Sequence, residues 1–374
     1  MSRRFFSRAA TLSRALVKRL ASGPRAMPAA PRRVLIAHHL LLGDTLMLTP
    51  LLAKLRTHYP ASEIIMTVPP AFAPLYQSRP YGARVLPFSP RMGAQSLFNE
   101  PPFDWAIVPG DNRYSWLAQA LDARWITAFA RDTPGYKNWL VDEALPFPTE
   151  PAAWGDMAAE LVAGTPPAPY SREQWLSPAF AQFDAPQPPY CVLHVGASSA
   201  RKLWPAEHWH QLAEMLVARG LQVVWSAGSG EQALVAQCDP AARFPSYAGK
   251  LDLAQLWNLV ENAALLVAPD TGVAHLGKVT ATPTVTLFGP GPTRLYGAGE
   301  FWKNMPYLPV VLDDLPARNQ PTLFRRALPW LKGDGGRNAP CAEPRAVYGR
   351  GFACVATAVS RIIEPGRDEA WKSD

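Results

Sequence analysis

Leu265-Leu266-Val267-Ala268-Pro269-Asp270-Thr271-Gly272-Val273-Ala274-His275-Leu276-Gly277 is the stretch on which the fold of this chain turns. Four consecutive apolar residues, Leu265 to Ala268, make a short buried strand that ends at Pro269. Asp270, Thr271 and Gly272 then open a short helix whose apolar residues are Val273, Ala274 and Leu276. At such a junction a Thr or Asp side chain caps the free N–H groups of the first turn. If a ligand sits there instead, those N–H groups and the positive end of the helix dipole favour an anion, most often phosphate. Gly272 removes the Cβ where backbone and ligand would approach closely. An ordinary capped helix after a parallel strand has the same pattern, so the stretch by itself leaves both readings open.

Outward from it, strand and helix patterns alternate, as in a parallel sheet. Upstream lie strands at 190–195 and 221–226, with helices at 205–219, 231–238 and 253–262, and a further strand follows at 284–288. A first series begins with Arg33-Val34-Leu35-Ile36-Ala37, a strand that runs into His38-His39-Leu40-Leu41-Leu42-Gly43-Asp44. From Thr45 to His58, Leu46, Leu48, Leu51, Leu52 and Leu55 fit a buried helix, and strands are expected at 64–68, 84–88, 104–108 and 125–129. Pro166, Pro167, Pro169, Pro178, Pro186, Pro188 and Pro189 mark an extended joint between the two series. The expected division is therefore a basic arm at 1–32, a first Rossmann-like domain at 33–165, a linker at 166–189 and a second such domain at 190–340. A helix and tail at 341–374 are expected to be able to cross back onto the first domain.

The chain carries 37 basic and 30 acidic residues. Nine of the basic ones lie in residues 1–33, which contain no acid, so 28 basic and 30 acidic residues remain for the body. The positive charge belongs to the arm and not to the fold, which removes the main reason to expect a nucleic-acid partner. Along the arm Phe5, Ala9, Leu12, Leu16 and Leu20 share one helical face and Arg4, Arg8, Arg14 and Lys18 the other. That pattern is expected to lie on an anionic membrane surface, with a frayed end or a targeting segment as the alternatives. No run of 18 apolar residues occurs, so no helical span of a bilayer is expected. Cys191, Cys238, Cys341 and Cys354 have no ligand-like spacing and read as thiols in a reducing compartment.

Three clusters carry candidate chemistry. Gly43-Asp44 places a carboxylate beyond the carboxyl end of a strand, where it either caps a helix or acts as a general base. Gly196 to Pro205 exposes backbone N–H groups and the hydroxyls of Ser198 and Ser199, with Lys202 as a cation. This suits a diphosphate but lacks the Walker spacing, and a polar turn with a solvated Lys is the alternative. The third is the opening stretch, with Glu231 after Gly228-Ser229-Gly230 as a candidate partner for ribose hydroxyls. Neither His38-His39 nor His208 and His210 has a third ligand at zinc spacing, whereas His275 lies one helical turn beyond Thr271.

Taken together, LGDTLMLTPLLAKLRTHYP, HVGASSARKLWPAEHWHQLAEML and APDTGVAHL followed by TPTVTLFGP resemble the three motifs of glycosyltransferase family 9, the ADP-heptose:lipopolysaccharide heptosyltransferases. The likeness runs in order over about residues 33–300, and the end bearing Cys341 and Cys354 is also similar. The resemblance implies an α/β fold of the GT-B type, two Rossmann-like domains whose parallel sheets face a central cleft. It implies inverting transfer without a metal or resident cofactor, ADP-heptose being a co-substrate. Asp44 matches the base. Lys202, Ser198 and Ser199, with Gly43, Thr271, Gly272 and His275, match donor-holding positions, and Asp270 and Glu231 match contacts to sugar or ribose. The implied acceptor is a lipid-linked glycan at the inner face of a bacterial cytoplasmic membrane. Where many members carry a basic residue and a Ser pair before Gly-Asp, this chain has His38-His39-Leu40-Leu41-Leu42, a difference that bears on sugar selectivity. The alternatives are a transferase or epimerase using another nucleotide sugar, and a catalytically silent glycan-binding protein at the membrane.

Overall fold

The computed structural model describes residues 3–289, 292–312, 326 and 350–363. The chain divides into two compact units. One comprises Met1–Pro178 with Asn319–Trp330, the other Ala179–Arg318 with Leu331–Asp374. The division after Pro178 falls within the proline-rich stretch.

In the first unit the helices are α1 (Arg3–Ala21), α2 (Leu42–Leu46), α3 (Thr49–His58), α4 (Tyr114–Ala120) and α5 (Trp154–Ala159). Its strands are β1 (Arg33–Ile36), β2 (Glu63–Val68), β3 (Arg84–Pro87), β4 (Trp105–Val108), β5 (Ile126–Phe129) and β6 (Glu143–Leu145). All pairings are parallel, in the order β3-β2-β1-β4-β5-β6. Strands β1, β4 and β5 are apolar or small almost throughout because both faces of the sheet are covered. This is the doubly wound order that reverses direction between its first and fourth strands, and ligands bind such sheets beyond the carboxyl ends at the reversal. Here the reversal is β1/β4.

One local expectation changes. The helix expected from Thr45 to His58 is two helices, and Gly43 and Asp44 lie inside the first of them rather than in a turn before it. Pro50 at the start of α3 has no N–H to continue the earlier ladder, and Leu48 N–H bonds three residues back to Thr45. Asp44 thereby occupies the first turn of α2.

The second unit holds β7 (Tyr190–His194), β8 (Gln222–Ser226), β9 (Leu265–Pro269), β10 (Thr284–Phe288) and β11 (Tyr307–Val311). Its helices are α6 (Ala206–Val217), α7 (Gln232–Cys238), α8 (Leu253–Glu261), α9 (Gly272–Thr280), α10 (Thr293–Tyr296) and α11 (Arg350–Ile363). The sheet is again parallel, ordered β11-β10-β9-β7-β8, so its reversal is β7/β9. An apolar core of Leu193, Trp209, Leu212, Trp225 and Val267 is closed by Val355 and Val359 of α11.

The described parts of both ends of the chain pack on the body. Helix α11 packs on β10, β11 and α6 of the second unit, while 341–349 and 364–374 of the expected helix and tail lie outside the described residues. Arg326 is the described residue of the later chain that lies in the first unit. Its buried guanidinium donates to the carbonyls of Ala130 (2.7 Å), Phe129 (2.6 Å) and Gly110 (3.2 Å) and to Asn112 Oδ1 (3.1 Å). Helix α1 docks on α4 through part of its basic face. Arg14 donates to Ala120 O at 2.8 Å and stacks on Phe98, while Lys18 pairs with Asp122 at 2.6 Å. Arg19 and, beyond the helix, Arg25 pair with Asp142 at 2.8 and 2.6 Å. The last-turn carbonyls of α4 and these two carboxylates make the seat of α1 negative, and the cations turn inward to meet it. Cys341 lies outside the described residues. Cys191 and Cys238 are free and buried, and Cys354 is free and half-buried.

Candidate functional site

At the carboxyl end of β1 the chain turns through His38 to Leu41 and enters α2, which brings Asp44 to the sheet reversal of the first unit. Asp44 is buried, and its carbonyl accepts a hydrogen bond from Trp154 Nε1 at 3.3 Å. Position in the first turn sets the carboxylate against the positive end of α2. The turn before it is held by His38. Its backbone N–H donates to Thr67 Oγ1 (2.9 Å), and that hydroxyl donates back to His38 O (2.7 Å). His38 Nδ1 accepts from Leu40 N–H at 3.2 Å, which leaves the ring proton on Nε2. Burial, with His39 adding to it, lowers the His38 pKa to about 3, so the imidazole is neutral.

The second unit gathers the other candidates at its own reversal. Gly196 to Lys202 follow β7, and Asp270 to His275 follow β9. Lys202 joins the two segments. Its ammonium donates to Asp270 Oδ2 at 2.7 Å and to Asp270 O at 2.8 Å, and both side chains are largely buried. Thr271 stands at the N-cap of α9, yet its side chain makes no capping bond, and the buried Oγ1 has no hydrogen-bond partner. The same is true of the buried His275 Nδ1. Burial first, then the charges of Lys278 and Lys202, hold the His275 pKa well below its ordinary value, so the ring is neutral. A helix entrance with an uncapped first turn, a lysine beside it and two polar atoms without partners is an arrangement that can receive an anion. An ordinary cap would have used Thr271.

Glu231 is held by two backbone N–H groups. Its Oε1 accepts from Ala197 N–H (3.1 Å) and its Oε2 from Gly228 N–H (2.6 Å). The carboxylate clasps the turn after β7 to the turn after β8. A Cβ at Gly196 would lie 2.0 Å from Oε2, so the clasp needs a glycine there. Two of the four lone-pair directions of Glu231 are thus taken by backbone, with the others left for a ligand hydroxyl. Ser198 and Ser199 are exposed at the rim, and Ser199 Oγ accepts from Arg201 N–H at 3.4 Å.

The family model described as Glycosyltransferase family 9 (heptosyltransferase) matches residues 99–300. Lipopolysaccharide heptosyltransferase 1 of Pseudomonas aeruginosa is 30% identical over 296 residues, 72% of this chain and 82% of that protein. The chain belongs to glycosyltransferase family 9. Among solved structures, E. coli heptosyltransferase WaaC with ADP superposes with a TM-score of 0.61 at 19% identity, covering 74% of this chain and 93% of that one. E. coli ADP-heptose lipopolysaccharide heptosyltransferase II gives 0.62 at 17% identity, covering 89% and 99%. These two likenesses show the fold, GT-B, which agrees with the two doubly wound sheets.

In this family 9 glycosyltransferase one charged cluster has no sequence signature. At the carboxyl ends of β4 and β5, buried Lys137 lies 3.0 Å from Asp111 and 3.3 Å from Asp132. Burial pushes the Asp111 carboxyl up, but bonds from Arg113 and Lys137 outweigh it and hold the group below its ordinary range. Asp132 also accepts from Asn112 N–H and Thr133 N–H, so the cluster serves to fix the loop beyond β4. Asp111, Asp132 and Lys137 follow no motif, and only the strand order brings them together.

Proposed function

We propose that this glycosyltransferase moves heptose from ADP-heptose to a lipopolysaccharide-core or related glycan acceptor, with inversion and without a metal. Asp44 is the base in this reading, and the loop around Lys202 with the entrance of α9 holds the diphosphate. The proposal rests chiefly on one observation, the Lys202–Asp270 pair set beside the unused hydroxyl of Thr271 at an uncapped helix start. The relatives named lipopolysaccharide heptosyltransferase and the neighbour determined with ADP support the choice of donor.

The chemistry balances with these groups. Asp44 takes the proton of an acceptor hydroxyl, and the oxygen forms a bond to the anomeric carbon on the face opposite the leaving group. The bond from that carbon to the β-phosphate oxygen breaks, and ADP leaves with the electron pair. Charge gathers on the diphosphate as the sugar becomes oxocarbenium-like, and fixed donors are worth most where charge develops. Lys202 and the first-turn N–H groups of α9 meet that charge, while neutral His275 adds a polar ring without a second positive charge. The acceptor being lipid-linked, the enzyme works peripherally at the inner face of a bacterial cytoplasmic membrane. Among the described residues no helix is long and apolar enough to cross one.

Calorimetric binding of ADP, UDP and GDP, each with EDTA or with Mg²⁺, tests the donor assignment. ADP preferred by about tenfold or more, with no loss in EDTA, is the expected result. Preference for UDP would move the reading to another nucleotide sugar, and no binding to a silent scaffold. Asp44→Asn is expected to keep ADP affinity within about twofold and to lower kcat at least about 100-fold. Retained turnover in that variant would remove Asp44 from the role of base.

A further inference from the structure

Eleven large apolar side chains are exposed among the described residues, and six of them lie on α1 and on the loop that packs against it through Leu140. Leu12, Leu16, Val17 and Leu20 line the outward face of α1, between 44% and 86% exposed, and Trp139 (70%) and Tyr136 (47%) are exposed on the loop whose Leu140 packs with Ala15 of α1. Continuity across the patch runs through Trp116. Ala15 of α1 is buried with Trp116, Ala120 and Leu140, and the Trp116 ring lies 6.5 Å from that of Trp139. Trp116 Nε1 also donates to Tyr136 O at 3.2 Å, which ties the aromatic loop to α4. Scattered exposed apolar residues need no explanation, but a contiguous patch of this kind marks an interaction surface.

We propose that the outward face of α1, with Trp139 and Tyr136, docks the enzyme on a phospholipid bilayer by apolar insertion. Charge selects the occupant. Residues 1–33 hold nine basic residues and no carboxylate, so two copies meeting through α1 would bring no acid from either arm to their shared contact. A bilayer meets the same surface with acyl chains for the leucines and lipid phosphates for exposed Arg8. Trp and Tyr at the rim are the side chains that settle at headgroup depth.

The manner of binding differs from simple adhesion by a cationic helix. Arg14, Lys18 and Arg19 are engaged by Ala120 O, Asp122 and Asp142, so these three cations of the arm are spent on the body. Insertion of leucine and tryptophan is left as the larger contribution, and binding persists in salt. The orientation is also defined. Arg8 lies near Tyr114, and Arg14 and Lys18 reach Ala120 and Asp122, so α1 runs parallel to α4. Its amino end therefore lies toward the carboxyl edge of the sheet, the edge that carries Asp44. This deepens the transferase reading, because a lipid-linked acceptor requires the enzyme at a bilayer, yet its test does not depend on any transfer being observed.

Flotation of the full chain with extruded phosphatidylcholine vesicles, with and without phosphatidylglycerol, provides the test. Wild type is expected to float with both, more with phosphatidylglycerol, and to remain bound at about 0.5 M NaCl. Leu16→Gln/Leu20→Gln and, separately, Leu12→Gln/Val17→Gln are expected to weaken binding at least about tenfold on both vesicles. Each is expected to keep the wild-type circular dichroism and ADP affinity, whereas Leu176→Gln, outside the patch, changes nothing. Undiminished flotation of the two double variants would overturn the proposal. So would binding that needs phosphatidylglycerol and vanishes in salt, since charge alone would then account for it. A wild type that ignores vesicles but sediments as a dimer, dissolved by the same substitutions, would make the patch a contact between copies.

Discussion

At the level of single residues, Lys202, for which the sequence leaves a diphosphate cation or a solvated side chain open, is largely buried in a pair with Asp270. Its ammonium sits against Asp270, 68 positions away, and fixes the turn after β7 to the entrance of α9. Removing the charge therefore has two consequences that a conservative change separates. Lys202→Ala is expected to weaken ADP binding about tenfold or more, and to lower stability by about 3 kcal/mol because Asp270 keeps a largely buried charge without its partner. Lys202→Arg is expected to recover most of the stability and only part of the affinity, since the planar guanidinium cannot present one compact charge to two oxygens of Asp270 and to a phosphate. Calorimetry with ADP and chemical denaturation read the two effects apart. Equal affinity in all three proteins would take Lys202 out of the diphosphate site. The motif already pointed to Lys202, Thr271 and His275, whereas the bond between Lys202 and Asp270 and the clasp made by Glu231 had no local signal. Both join segments whose neighbourhood is created by strand order.

For the elements, the decisive packing is that of α9 on its sheet. Gly277 lets the helix approach so closely that a Cβ there would lie 2.3 Å from Thr284 Oγ1 and 2.9 Å from Leu266. Thr284 is buried, and its hydroxyl donates to Thr282 O at 2.7 Å, so it is not free to yield. Gly277→Ala is accordingly expected to cost about 1–3 kcal/mol and to move α9 outward. ADP affinity should fall with it, although Gly277 is more than a turn from the phosphate-facing end. A melting-temperature loss with unchanged ADP affinity would mean that the position of α9 does not set the anion site. Strand and helix patterns gave these elements correctly in most cases, because apolar periodicity and Gly or Pro punctuation are local signals. Strands β6 and β11 escaped. Both are edge strands, β6 is only partly buried, and Pro309 in β11 argues against a strand except at an edge. Helix α1 was legible as amphipathic, but the side it would turn inward was not.

Over the whole molecule, three buried histidines link stability to pH. The pKa of His38 is lowered to about 3 and that of His194 to about 4, both chiefly by burial, and His275 lies well below its ordinary value. In the unfolded chain each titrates near 6.5. Below that pH the unfolded state takes up protons that the folded state refuses, so their contribution is complete above about 6.5 and is lost as pH falls. Each group adds up to about 1.4 kcal/mol per pH unit to the loss. Denaturant midpoints measured between pH 7 and pH 5 are expected to fall monotonically, and the domain holding His194 and His275 to fall faster. A flat profile over that range would show that these rings are reached by water or take a proton in the folded state.

Alternating patterns, the proline-rich joint and three motifs suffice, from the sequence alone, to establish two doubly wound α/β units and their family, because each is carried by residues close together in the chain. The tertiary structure alone decides which distant groups meet. It places both candidate donor segments at the β7/β9 reversal, seats α11 on the second sheet, and sets Arg326 among the carbonyls beyond β4 and β5. It also decides which face of the arm meets the body. Lys18 finds Asp122 across 104 positions, and Arg19 finds Asp142 across 123. The leucines of the arm are left outward, since charge pairing on the seat of α1 is a nonlocal property that no helical periodicity contains.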